Sequence, residues 1–150
     1  MFALGQPVAP PVAHATVTAR PLAAPVKPGS RATLVVDVVP RAGIHVYAPP
    51  QTRYKPVAIS IDPADGVKIA TPVFPASSIL EFEGEKVRVY DRAFQIRVAI
   101  TLASSPEIRA KARRGERIPI AGQVIYQACD DIMCYLPKTV PVKWEVAVKK

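Results

Sequence analysis

From Phe94 to Leu102 every second residue is apolar: Phe94, Ile96, Val98, Ile100 and Leu102 alternate with Gln95, Arg97, Ala99 and Thr101. Successive side chains on a strand point to opposite faces, so this spacing predicts a half-buried β-strand. Val140, Val142, Trp144, Val146 and Val148 repeat the pattern, with Pro141, Lys143, Glu145, Ala147 and Lys149 on the wet side. Shorter alternations predict strands at His14–Arg20, Thr33–Val39, Ile44–Ala48, Val57–Ile61, Val67–Ala70, Lys86–Tyr90 and Ile118–Gln127. Pro106–Glu116 is the one segment with the spacing of a short helix.

Pro40, Pro49-Pro50, Asp62-Pro63, Asp65-Gly66, Gly84 and Gly115 punctuate these runs. Many short strands separated by turn residues predict an all-β chain, an immunoglobulin-like antiparallel β-sandwich with one core. Trp144, Phe94 and Phe74 are expected in that core. No helix pattern lies between strands at the length a βαβ unit needs.

Composition narrows the picture. The chain has 150 residues, 49% of them hydrophobic, which suits one domain with a sizeable core. Its 17 prolines exclude long helices, and no uncharged apolar run approaches the roughly 18 residues of a membrane helix. Residues 1–13 carry no charge and three prolines, so they are expected to be a flexible leader. Ala3-Leu4-Gly5 has the small residues a signal peptidase reads, which would make Met1–Gly5 a signal-peptide remnant. Residues 14–150 are then the domain.

The net charge of +8 permits an anionic partner without selecting one. Its local focus is Arg109, Lys111, Arg113, Arg114 and Arg117, which lacks the interleaved aromatics that stack on bases. No nucleic-acid role is expected, and this run reads as a solvated connection.

Candidate chemistry is sparse. His14 and His45 come without a nucleophile elbow or triad signature. Cys129 and Cys134 are spaced C-x4-C with no H-x3-5-H partner, so no metal is expected. The cysteines themselves remain. If the chain reverses through Asp130–Met133, the pair faces across a four-residue loop, at a Cα separation of about 4.5–5.5 Å that a disulfide accepts.

A plain hairpin from that pairing would set Gln123 against Val140, which conflicts with Val124 facing the core. Either a one-residue bulge lies near Leu136-Pro137-Lys138, or the two strands belong to different sheets. A bridge across so short a loop removes little denatured-state entropy, and at an exposed turn it suits thiol exchange. Structural and exchanging roles both remain open on these grounds. Asp130 and Asp131 follow Cys129 and disfavour its thiolate, leaving Cys134 as the better nucleophile. Phe82, between Glu81 and Glu83 and beside Gly84, has no periodic core slot and is expected to lie over the cysteine loop.

The string from Tyr126 through Gln127, Ala128, Cys129, Asp130, Asp131, Ile132, Met133, Cys134, Tyr135 and Leu136 to Pro137 resembles the active-site segment of the DsbD N-terminal domain family. Stand-alone disulfide bond corrector domains are similar. Glu81-Phe82-Glu83-Gly84 resembles the family's cap loop, and Gly43-Ile44-His45-Val46-Tyr47 the strand that brings polar aromatics beside the disulfide. The resemblance implies an immunoglobulin-like fold, a bacterial periplasmic address, and a Cys129–Cys134 redox pair working without a cofactor. It also implies that the domain relays electrons from a membrane thiol reductase to thioredoxin-like periplasmic partners, with Cys134 forming the mixed disulfide. Departures are a cysteine spacing one residue shorter than in DsbD itself, Leu80 where the cap is acidic, and His45 where an aromatic stands.

Overall fold

A computed structural model describes residues 13–50, 54–82 and 84–150, with Phe82 described as backbone only. The expected leader, residues 1–13, lies outside this range except for Ala13. In chain order the elements are β1 (Ala15–Arg20), β2 (Arg31–Pro40), β3 (His45–Tyr47), β4 (Ala58–Ile61), β5 (Val67–Ile69) and β6 (Ser78–Phe82). They continue as β7 (Glu85–Tyr90), β8 (Phe94–Leu102), α1 (Pro106–Arg114), β9 (Arg117–Tyr126), β10 (Ala128–Cys129) and β11 (Lys138–Ala147). Each strand expected from alternation is present within about two residues of its expected ends.

The strands form three antiparallel sheets, ordered β1-β2-β8-β5, β11-β9-β4 and β10-β3-β7-β6. The main core lies between them. The first sheet contributes Leu34, Val36, Val38, Ile96, Val98, Ile100 and Leu102. The second contributes Ile118, Ile120, Val124, Val142, Trp144 and Val146, and the third Val46, Tyr90 and Ala128. Phe94 and Trp144 are buried as expected, and Phe74 is half-buried against the same core. β4 comes close to β9 at Gly122, where an added Cβ would stand 2.4 Å from the Ser60 carbonyl oxygen. No other residue fits that crossing.

Four residues of the basic run, Arg109, Lys111, Arg113 and Arg114, lie on α1, and Arg117 opens β9. The Ser105 hydroxyl accepts from the Ile108 amide at 3.3 Å, capping the first turn. Ile108 and Ala112 are buried, while Glu116 pairs with Arg114 at 2.6 Å and Lys111 at 3.5 Å. The run is therefore largely solvated, as expected, and most of it lies on the short helix expected over Pro106–Glu116, which packs on the sandwich through Ile108 and Ala112.

The register conflict resolves as a bulge. β9 and β11 share a sheet, with Val124 opposite Val140 and Tyr126 opposite Lys138, and Cys129 bridges Cys134 beyond them. Between those two pairings the returning strand has one residue more than the outgoing one. The outgoing strand also changes sheets. After Gln127 it becomes β10 and pairs with β3, Ala128 opposite Val46 and Cys129 opposite His45.

Candidate active site

Alternation along β3 creates the site. Val46 points into the main core with Ala128, whereas Cys129, Tyr47, Val87 and Val89 form a second buried cluster on the other face of the sheet. Tyr54, Leu80 and Cys134 pack partly buried against it. All three residues of β3 are buried because both faces of this sheet are covered. The main core holds one face, and the disulfide cluster covers the other.

Cys129 and Cys134 are joined, with Sγ–Sγ 2.10 Å and Cα atoms 4.0 Å apart. The approach is closer than the opposed-strand spacing expected from sequence. Both cysteines were expected at an exposed turn, but their surroundings differ. Cys129 is 0% exposed, held in β10 between β3 and the returning chain. Cys134 is half-buried and follows the exposed residues Asp131, Ile132 and Met133. Solvent reaches the pair from the Cys134 side.

The Tyr47 hydroxyl lies 3.3 Å from Cys129 Sγ and 3.4 Å from Cys134 Sγ. A disulfide has no S–H, so the phenol is the donor here. Tyr54 stacks on Tyr47 with ring centroids 4.3 Å apart and planes at 6°. The Gln127 side chain holds this edge closed: its Oε1 accepts from the Lys55 amide at 3.1 Å, and its Nε2 donates to the Tyr135 carbonyl at 3.3 Å.

Asp130 shapes the loop between the cysteines. Its Oδ1 accepts from the Ile132 and Met133 amides, each at 2.8 Å, and its Oδ2 accepts from the Tyr135 hydroxyl. Tyr135 stacks on His14 at 3.8 Å. The Tyr135 hydroxyl and the two amides stabilise the charged carboxylate and hold its pKa down at about 2, while the same bond raises that of Tyr135. Asp130 is thus a fold determinant of the loop, a role its sequence position beside Cys129 did not reveal.

His45 is 5% exposed, opposite Cys129 and edge-on to Tyr47 at 5.8 Å between ring centroids. Burial lowers its pKa from the ordinary value, while Asp131, Asp130 and Asp91 pull it upward. A small cavity beside the disulfide is lined by His45, Leu80, Asp91 and Asp131 among others.

Other expected residues fall less close. Tyr126 lies in the main core on the opposite face from Cys129, and burial raises its pKa. Glu81 is exposed on β6, opposite Lys86. Phe82 ends that strand, and its side chain lies outside the described residues, as does all of Glu83. The stretch read as a cap loop is the tip of a β6–β7 hairpin, with Phe82 opposite Glu85 and Gly84 at φ 79° in the turn. Tyr54 and Val87 were not anticipated at the site, whereas Leu80 was noted as a departure in the cap and Val89 follows the stretch read as the cap loop. Alternation in Lys86–Tyr90 marks the two valines as facing inward, but no local pattern distinguishes this small cluster from the main core.

No curated protein sequence matches the chain. Among solved structures, the N-terminal periplasmic domain of ScsB from Proteus mirabilis aligns at TM-score 0.60 and 14% identity, covering 95% of this chain and 52% of that one. The chain thus spans about half the length of that ScsB domain, and the likeness shows a shared fold. The reduced DsbD N-terminal domain of Neisseria meningitidis aligns at TM-score 0.48 and 20% identity over 78% of each chain. The complex of the DsbD and PilB N-terminal domains from the same organism aligns at 0.48 and 21%, over 74% of this chain and 73% of that one. The family described as thiol:disulfide interchange protein DsbD, N-terminal, matches residues 14–144, a range that includes strands of all three sheets and the cysteine loop. With its immunoglobulin-like sandwich and its Cys129–Cys134 disulfide, the chain belongs to the family of DsbD N-terminal domains.

Proposed function

We propose that this domain is a periplasmic thiol:disulfide oxidoreductase that passes two electrons through Cys129 and Cys134, from a membrane thiol reductase to oxidised thioredoxin-like proteins. The observation that carries this reading is the asymmetry of the pair: one sulfur is sealed in the fold and the other is open to a protein partner. In the reduced domain, the Tyr47 hydroxyl sits where it can accept from the Cys129 thiol and donate to a Cys134 thiolate. A hydrogen bond to the thiolate lowers its pKa, favouring Cys134 as nucleophile. Cys134 attacks the partner's disulfide and expels one partner thiolate. Cys129 then attacks Cys134 Sγ, expelling the second and restoring the intramolecular bridge.

The surface around Cys134 supports a protein as partner. Ile132 is 88% exposed and Leu136 90%, flanking the half-buried sulfur on both sides, with Met133 exposed between them. Bulky apolar side chains clustered at a reactive atom suit docking. The reading gives Phe82 and Glu81 the role of a cap on the β6–β7 hairpin that moves aside on docking. The periplasmic address, like the reductase and the partners, follows from the family. The PilB complex is of a different DsbD domain and lends this chain a class of partner to test.

The test mixes the reduced domain with an oxidised thioredoxin-like protein, quenches in acid and counts alkylated thiols by mass. Transfer of both electrons, with the domain recovered as its disulfide, is expected. Failure to transfer, with a bridge that only strong reductants open, would favour a binding sandwich carrying a structural disulfide.

A further inference from the structure

Cys129 has to lose its proton before it can release the partner, and its position makes that difficult. The sulfur is fully buried, and burial disfavours a thiolate. While Cys134 is tied to the partner in a mixed disulfide, no thiolate is present on the neighbouring sulfur to receive the proton. Bulk water is excluded by the Tyr47, Val87, Val89 and Leu80 cluster.

The side chain directly opposite Cys129 is His45. Opposed residues of an antiparallel pair have Cβ atoms roughly 4.5–5.5 Å apart, which puts an imidazole within reach of a thiol. Strand alternation sets His45 on the face that carries Tyr47, whose hydroxyl meets both sulfurs. Three carboxylates lie near enough to act on the charge of the imidazole: Asp131 and Asp130 from the cysteine loop, the latter bonded within that loop, and Asp91 from the end of β7. β6 contributes uncharged Ser78 and Leu80 to the same cavity. A buried, neutral imidazole with acids nearby is placed to take up a proton transiently, the carboxylates partly offsetting the cost that burial puts on the imidazolium.

We propose that His45 is the proton acceptor for the Cys129 thiol in the step that resolves the mixed disulfide. The inference rests on the reading that Cys134 carries the partner. The Cys129 S–H proton moves to His45, and the Cys129 thiolate attacks Cys134 Sγ. The bond from Cys134 to the partner sulfur breaks, and its electron pair leaves on the partner thiolate. The domain is oxidised by two electrons and the partner reduced by two. The imidazolium then returns its proton to solvent or to the departing thiolate. Burial keeps His45 mostly neutral before this step, as an acceptor has to be.

The test uses the reduced full chain and dithiobis-nitrobenzoate in a stopped-flow spectrometer. The first equivalent of coloured thiolate reports attack by Cys134, and the second reports resolution by Cys129. Cys129→Ser should show the first phase alone. In the wild-type chain the second phase should level off well below the ordinary thiol pKa of about 8.5. His45→Gln and His45→Phe should slow that phase at least about tenfold at pH 7 and leave its rate climbing past pH 8.5. The first phase should change by less than about twofold, which also reports that each variant is folded. His45→Phe fills the same space without a nitrogen, so a purely structural role predicts no change in its pH profile. An unaltered second-phase profile in both variants would overturn the proposal, with the exchange reading intact. Release of one equivalent by the wild-type chain would overturn both.

Discussion

At the residue scale, burial distinguishes the cysteines. The proposal that Cys134 is the nucleophile rests in sequence on the charges of Asp130 and Asp131, and the difference in burial is a second argument for it. Asp130 turns its carboxylate into the loop, where three donors occupy it, while burial separates Cys129 from solvent and leaves Cys134 approachable. Cys129→Ser should therefore accumulate a mixed disulfide with a thioredoxin-like partner, and Cys134→Ser should trap poorly. Equal or better trapping by Cys134→Ser would reverse the assignment. The Asp130 carboxyl makes its own prediction. Its pKa in the folded loop is lowered from 3.8 to about 2, so the stabilisation it gives is fully present above the unfolded value and is lost as pH falls through the folded one. The Ile132 and Met133 amide resonances should hold their neutral-pH positions down to about pH 4 and shift with a midpoint near 2. A midpoint at the ordinary carboxylate value would mean that the hydrogen bonds do not persist in solution. The opposition of His45 and Cys129 was not legible in the sequence because it depends on how distant segments come together. The Asp130 turn is local, with partners two, three and five residues on, and an Asx-turn reading of Asp130 would have found it.

At the scale of elements, alternation located nine of the eleven strands of the described residues because most of them have one wet face and one dry face. It missed β6 and β10 for physical reasons. β10 is two residues long, too short to show a period, and its residues are buried on both faces. β6 is an edge strand with Ile79 62% exposed, so its apolar residues do not alternate in and out. This hairpin is also the cap proposed from sequence. Leu80, noted as a departure from the family's acidic cap, packs half-buried in the disulfide cluster beside Val87 and Val89. An apolar side chain excludes water there, where an acid would repel a thiolate. Phe82→Ala and Leu80→Ala should each speed alkylation of the reduced thiols severalfold, with Leu80→Asp slowing the attack of Cys134 by raising its pKa. Unchanged alkylation in a stably folded Phe82→Ala variant would show that the ring is no lid.

On the scale of the whole molecule, the sandwich is expected to stay folded when its disulfide is opened. The main core draws apolar side chains from all three sheets, and the bridge closes a loop of only four residues outside it. In the chain-entropy account such a closure stabilises by about 2 kcal/mol, against about 4.7 kcal/mol for a hundred-residue loop. The domain has little need of the bond for stability, and opening it leaves the main core in place. Fold class was legible because period-two patterning depends on local residues, and the cysteine motif carried the family. The second cluster that makes the cysteines unequal came only with the sheet change after Gln127. The central claim, that the bond is made to be opened, is tested most directly by the equilibrium reduction potential of the Cys129–Cys134 pair, titrated against glutathione or dithiothreitol. Structural bridges usually lie below roughly −300 mV, and this pair is predicted to lie above that line. A midpoint well below it would contradict the account and leave a sandwich with a structural staple.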